Sequence, residues 1–308
     1  MSPDPIEIHL PSVRLAALDY RRTAPRGATP LLVLHGQADL AWSMHPVASA
    51  LAHRYGVVSL DLRGHGDSDH PGAYSILHFM ADVRAVIQHL GMDRPIIIGH
   101  SLGGQITGQL AGLYPELMRA IVLAEGIGPP ITGIERNEIN QDVARSHIER
   151  LTTTVGRRPL TDTASAAARL RAAHPGLGAD HAALLADRGT RPTPDGGVVW
   201  KFDPRTTDWF TSFSREVAEA RWSLVRCPTL VITGAIAWER WWSRLTIGAT
   251  ALDPATGPDT AEIARRIACF PRVEHVELAD AGHMLQYDQP DALNTIIAGF
   301  LDRIGAAT

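Results

Sequence analysis

The sequence predicts an α/β protein: a mostly parallel, doubly wound sheet with a helical lid insert. Two observations carry this. Short apolar runs recur along the chain, and stretches with helical spacing separate them. Between 127 and 222 that rhythm gives way to Ala/Arg-rich helical stretches and loops rich in Gly and Pro. Strands alternating with helices imply a parallel sheet with helices on both faces. The reading divides the chain into a core, 1–126 and 223–308, and a helical lid (cap), 127–222.

Residues 6–20 alternate loosely and read as two short strands around Pro11. The run LLVLH at 31–35 reads as a buried strand, 43–53 as a helix and VVSLD at 57–61 as the next strand. A glycine-rich turn, DLRGHGDSD, follows at 61–69. Ile76, Phe79, Met80, Val83, Val86, Ile87 and Leu90 recur at helical spacing, with Gly91 as the stop. PIIIGHSLGG at 95–104 reads as a strand running straight into a helix, and RAIVLA at 119–124 as another buried strand. Within the insert, helices are expected at 137–151 and 163–173, and RPTPDGG as a loop. The strand at 228–234, a helix near 259–269, a strand at 273–278 and a helix near 290–304 complete the pattern.

Composition excludes several classes. With 308 residues, 45% hydrophobic and 20% charged, the chain is an ordinary globular protein rather than a disordered or fibrous one. It is long enough to bury a sizeable core without staples. A net charge of −4 argues against a nucleic-acid binder. Cys227 and Cys269 are too few for a disulfide framework, and no Cys/His spacing resembles a metal site. The first residues show no basic stretch followed by an apolar one, and no apolar run reaches the ~18 residues of a membrane span. The expectation is cytoplasmic, with neither membrane nor nucleic acid as partner. Lys201 is the only lysine among many arginines, which reads as composition bias.

Gly99-His100-Ser101-Leu102-Gly103 is a GxSxG between a buried strand and a helix. So tight a turn needs small neighbours and exposes the serine Oγ at the top of the sheet. The helix N-terminus behind it offers free N–H groups and a positive dipole end to a developing oxyanion.

These motifs resemble the α/β-hydrolase fold family. The resemblance rests on HGQ at 35–37, DLRGHGDSD at 61–69, GHSLGG at 99–104 and AGH at 281–283, in that order. It implies Ser101 as nucleophile and His283 as general base. It also implies an oxyanion hole from the backbone N–H groups of Gln37 and Leu102. His35 is expected to shape its turn and His100 to pack. Haloalkane dehalogenases and epoxide hydrolases of this fold attack with aspartate, whereas a serine implies an acyl-enzyme released by water. No metal or cofactor is implied.

The acid departs from the common pattern. Most relatives carry an aspartate three residues past the glycine that ends the strand at 228–234, and Ala237 stands there. Glu125 is the candidate, because it ends the strand beside the nucleophile's strand, at the carboxyl edge where α/β sites form. Glu239 is second, with Asp253 and Asp280 behind it. A glutamate at this strand end, no acid after the later strand and a tryptophan-bearing lid resemble the zearalenone lactonase group. Trp238, Trp241 and Trp242 follow the later strand, and Trp200, Phe202, Trp209 and Phe210 lie late in the insert. Trp209, Trp238, Trp241 and Trp242 are candidate pocket residues, against core packing as the plainer reading.

The implied partner is a small-molecule ester or lactone, bulky and apolar or aromatic, with a zearalenone-type macrolactone as the specific form. A C–C bond hydrolase of ring-cleavage products and a non-turnover receptor on the same fold stay open, as does a homo-oligomer.

Overall fold

The computed structural model describes residues 2–129, 158–244 and 257–306, with residues 145, 148, 149, 151, 152, 156, 246, 247, 250 and 251. The chain opens with an antiparallel pair, β1 (Asp4–His9) and β2 (Arg14–Asp19). Then come β3 (Pro30–Leu34), α1 (His45–Leu51), β4 (Gly56–Leu60), α2 (Ile76–His89), β5 (Ile96–His100), α3 (Leu102–Leu113) and β6 (Ala120–Ala124). The insert contributes α4 (Thr163–Ala173), α5 (Ala179–Gly189), a hairpin of β7 (Thr190–Pro192) and β8 (Val198–Trp200), and α6 (Arg215–Trp222). After β9 (Thr229–Gly234) lies a small pair, β10 (Thr246–Ile247) and β11 (Thr250–Ala251). The chain continues with α7 (Thr260–Ile267), β12 (Val273–Leu278) and α8 (Pro290–Arg303).

Eight strands form one sheet in the order β1-β2-β4-β3-β5-β6-β9-β12. From β4 to β12 every pairing is parallel, and β2 runs antiparallel to both of its neighbours. The apolar runs are continuous because both faces are covered. Leu32, Leu34, Val58, Leu60, Ile97, Ile121 and Val231 face α2, α3 and α6. Leu31, Val33, Val57, Ile96, Ile98, Val122 and Ile232 face α1 and α8. Neighbouring residues on each strand point to opposite faces, so both layers draw on the same runs.

The DLRGHGDSD turn is held by buried polar bonds. Arg63 makes a two-pronged pair with Asp82 of α2, both bonds 2.6 Å, with each side chain 4% exposed. Asp61 accepts the N–H groups of Ala41 and Asp67. Helix α2 begins at Ser75, whose hydroxyl accepts the His78 N–H, and stops before Gly91, which sits at φ 60°.

The helix expected at 137–151 lies largely outside the described residues. The insert departs from expectation in two places. RPTPDGG turns a hairpin, and the flanking strands, three residues each, are too short to show a period. Helix α6 packs on α3 rather than covering the sheet edge. Its Trp222 is buried in the core, stacked on Phe270 at 5.2 Å. Helices α4 and α5 pack with Leu40 and Tyr287 in a smaller cluster of their own. No described helix is long and apolar enough to cross a membrane.

Candidate active site

Four strand ends define the site. His100 pairs with Ala124 across β5 and β6, so Ser101 and Glu125 leave the sheet side by side. The Ser101 N–H donates to the Ala124 carbonyl at 2.9 Å, and the Glu125 N–H to the Ile232 carbonyl on β9 at 2.8 Å. Both residues have positive φ, 50° at Ser101 and 51° at Glu125. Such backbone costs about 1–3 kcal/mol per residue and persists where its surroundings overdetermine it. Gly99 allows the turn at Ser101: a Cβ there would lie 2.3 Å from the Gly103 carbonyl oxygen.

His283 follows β12 and bridges the two. Its Nε2 lies 3.0 Å from Ser101 Oγ, and its Nδ1 lies 3.0 Å from Glu125 Oε2. A carboxylate beside Nδ1 places the proton there, which leaves Nε2 to accept the serine hydroxyl. Glu125 accepts two further donors, the Gly234 N–H on Oε1 at 2.7 Å and the Trp242 indole N–H on Oε2 at 3.0 Å. Burial pushes the Glu125 carboxyl up to about 7, against the pull of those donors. Burial also drives His283 well below the ordinary imidazole range, with His174 adding to the effect, so the ring is neutral and its Nε2 lone pair is free to accept.

Gln37 and Leu102 flank the nucleophile. A Cβ on Gly36 would stand 3.1 Å from Ser101 Cβ, so the HGQ segment runs directly against it. Among the described residues, neither the Gln37 nor the Leu102 backbone N–H has a hydrogen-bond partner. The Gln37 side chain is committed to the insert: Nε2 donates to Thr206 Oγ1 at 2.6 Å, and Oε1 accepts the Trp209 indole N–H at 3.0 Å. Thr206 has no sequence signal that would have marked it.

A cavity of about 480 Å³ is lined by Ala38, next in sequence to Gln37, and by none of Ser101, Glu125 and His283. Leu40, Trp200, Phe202 and Tyr287 give it apolar and aromatic walls, with Asp39 and Lys201 as polar points. Lys201 Nζ donates to Asp67 Oδ1 at 2.5 Å, tying the insert to the DLRGHGDSD turn. Burial pushes the Asp39 carboxyl up to about 7. Among the described residues, no group of three or more His, Cys, Asp or Glu side chains could hold a metal ion.

A family model described as alpha/beta hydrolase fold matches residues 29–290. The chain belongs to that family. Among α/β-hydrolases, it is similar to a serine hydrolase-like protein of Danio rerio, 32% identical over 219 residues, 63% of this chain and 64% of that one. It is also similar to epoxide hydrolase 4 of Mus musculus, 33% identical over 107 residues, 34% of this chain and 30% of that one. The match thus spans less than two thirds of the length of these curated relatives. In three dimensions it is similar to the thioesterase domain from the curacin biosynthetic pathway. There the TM-score is 0.77 and the identity 25%, over 97% of this chain and 100% of that one.

The other candidates of this α/β-hydrolase sort by position. Glu239 and Asp280 are exposed, and Asp253 lies outside the described residues. His35 holds its turn: Nε2 accepts the Leu62 N–H, and Nδ1 donates to the Gly36 carbonyl. His100 is buried, and its Nε2 donates to the His283 carbonyl at 2.8 Å. Trp209 and Trp238 are buried. The cavity is lined by Trp200 and by none of Trp209, Trp238, Trp241 and Trp242. Trp241 and Trp242 contact His283 instead, with ring centroids 5.0 and 4.5 Å from the imidazole.

Proposed function

We propose that the chain is a serine hydrolase that cleaves a carboxylic ester or lactone through an acyl-enzyme. One observation carries the reading: Ser101 Oγ, the His283 ring and the Glu125 carboxylate form a continuous line with two contacts of 3.0 Å. His283 Nε2 takes the Ser101 proton as Oγ attacks the carbonyl carbon. The oxyanion is received by the N–H groups of Gln37 and Leu102. His283 then protonates the leaving alcohol oxygen, and Glu125 stabilises the imidazolium in between. Water, activated by the same ring, releases the acid and restores the serine.

The cavity walls of Leu40, Trp200, Phe202 and Tyr287 favour a bulky apolar or aromatic substrate. A zearalenone-type macrolactone is the specific form proposed, on the strength of the glutamate at the β6 end. The insert 127–222 is the proposed lid, with its Thr206 and Trp209 fastened to the Gln37 side chain. The names of the zebrafish relative and the thioesterase domain agree with acyl transfer. The test is a panel of p-nitrophenyl esters and macrolactones, with Ser101→Ala as the blank. Wild type turns over at least one class repeatedly, and a fluorophosphonate labels Ser101 alone. Undiminished turnover by Ser101→Ala sinks the reading.

A further inference from the structure

We propose that Trp242 and Trp241 are positioning residues for the Glu125–His283 pair, the first by holding the carboxylate and the second by bracing the imidazole. This deepens the serine hydrolase reading and rests on it.

Both tryptophans lie on the stretch after β9, where most relatives carry their acid. Here that stretch supplies an indole N–H to a carboxylate that comes from β6. Trp242 is 6% exposed, and its Nε1 donates to Glu125 Oε2 at 3.0 Å. That is the same oxygen that His283 Nδ1 contacts. The other oxygen is held by the Gly234 N–H. One donor on each oxygen fixes the carboxylate against rotation about its last bond. The long glutamate side chain is thereby aimed at Nδ1 without losing rotamers at each turnover. The Trp242 ring also meets the imidazole edge-on, at 68°.

Trp241 meets the other aspect of the ring. It lies nearly parallel to His283, at 16°, with centroids 5.0 Å apart. His174, at the end of α4, stacks on Trp241 in turn, at 25° and 5.9 Å. The imidazole is therefore gripped on a face and an edge. When it gains the Ser101 proton, an indole face lies within cation–π range. The charged or titratable groups around the pair are few. His100 packs against His283 from the β5 end at 5.0 Å, and His174 faces it from the insert through Trp241. Asp288 accepts the neighbouring Gly282 N–H and pairs with Arg240. None of them donates to the Glu125 carboxylate, and among the described residues Trp242 is its side-chain donor besides His283.

Trp242→Phe keeps the ring and removes the N–H. A hydrogen bond to an ionised group is worth enough to give a loss of about 10- to 100-fold in kcat. The loss falls on a small acetate ester and a bulky aromatic ester alike, with KM little changed. The acid limb of the pH–kcat/KM profile moves upward by about one unit, because a donor that favours the carboxylate is gone. Trp242→Gln, with an N–H at comparable reach, recovers part of kcat and moves the limb back. Trp241→Leu lowers kcat for both esters and weakens the base without moving KM.

Thermal unfolding followed by circular dichroism accompanies each variant, and comparison is made where the variant is folded. If Trp242→Phe raises KM for the bulky ester alone and leaves the pH limb in place, the indole is a pocket wall and the proposal is overturned. If Trp242→Phe does not fold, the folded Trp242→Gln and Trp241→Leu decide by the same criteria. Turnover that survives Ser101→Ala would instead overturn the underlying hydrolase reading, whatever the tryptophans do.

Discussion

At Glu125 one carboxylate meets a backbone N–H, an indole N–H and an imidazole N–H in a site sealed from water. Its ionised form is the one that orients His283, so Glu125→Gln is expected to lower kcat by roughly 10³–10⁴, as acid-to-amide changes do in other triads. Stopped assays with a p-nitrophenyl ester measure this. Glu239→Gln, at an exposed position, leaves kcat near that of wild type. The same carboxyl sets a pH dependence. Burial lifts it to about 7, so it gains a proton as pH falls through that value. Activity is therefore full above about 7 and declines about tenfold per pH unit below it, and Glu125→Gln flattens that limb. His283 stays neutral throughout this range, since burial holds it far lower. Ser101 and Glu125 could be named from the sequence because each directly follows a buried strand, legible as an apolar run, whereas His283 trails the partly exposed β12 and was legible through its AGH motif. The indole bond from Trp242 was not legible. It depends on the path of an irregular stretch after Gly234, which no periodicity describes.

Among the elements, the DLRGHGDSD turn shows how a motif can matter without touching substrate. Its Arg63 is locked to Asp82 with both groups out of water. Removing one partner strands the other, so Asp82→Ala is expected to cost about 3–5 kcal/mol in urea unfolding. The double variant Arg63→Leu/Asp82→Leu costs less than Asp82→Ala alone, since no buried charge remains unpaired. The insert segment Pro204–Ser212 has a different duty. Its Trp209 and Thr206 grip the Gln37 side chain, beside the proposed oxyanion donor. Trp209→Ala is therefore expected to lower kcat for large aromatic esters and acetates alike, and an unchanged kcat would reduce Trp209 to core packing. The strand-helix alternation of the main sheet was legible, down to Gly91 at the end of α2, while the β10–β11 pair was not. The insert was less so. Helix α5 buries Ala182, Leu185, Ala186 and Gly189, a stripe mostly too small to stand out, and the β7–β8 strands are too short to alternate.

Across the molecule, the site draws one group from each of four strand ends: Ser101 after β5, Glu125 after β6, Gly234 closing β9 and His283 beyond β12. These positions lie up to 182 residues apart in sequence, and only the finished sheet brings them to one edge. The proposed ester cleavage is thus expected to vanish in the same denaturant range as the far-ultraviolet circular dichroism, with no inactive folded phase between. The insert also meets the core through Asp203, which accepts from Tyr74 and donates its N–H to Gly64, and through Lys201 on Asp67. That lysine carries the chain's single side-chain amine, and the pairing leaves it 20% exposed. An acylating reagent can reach it only as an uncharged, unpaired amine. The pace of its acylation, read by mass spectrometry against that of the N-terminal amine, becomes a clock for how often the Lys201–Asp67 pairing opens. A bound inhibitor that holds the insert down would slow that clock and leave the N-terminal rate unchanged.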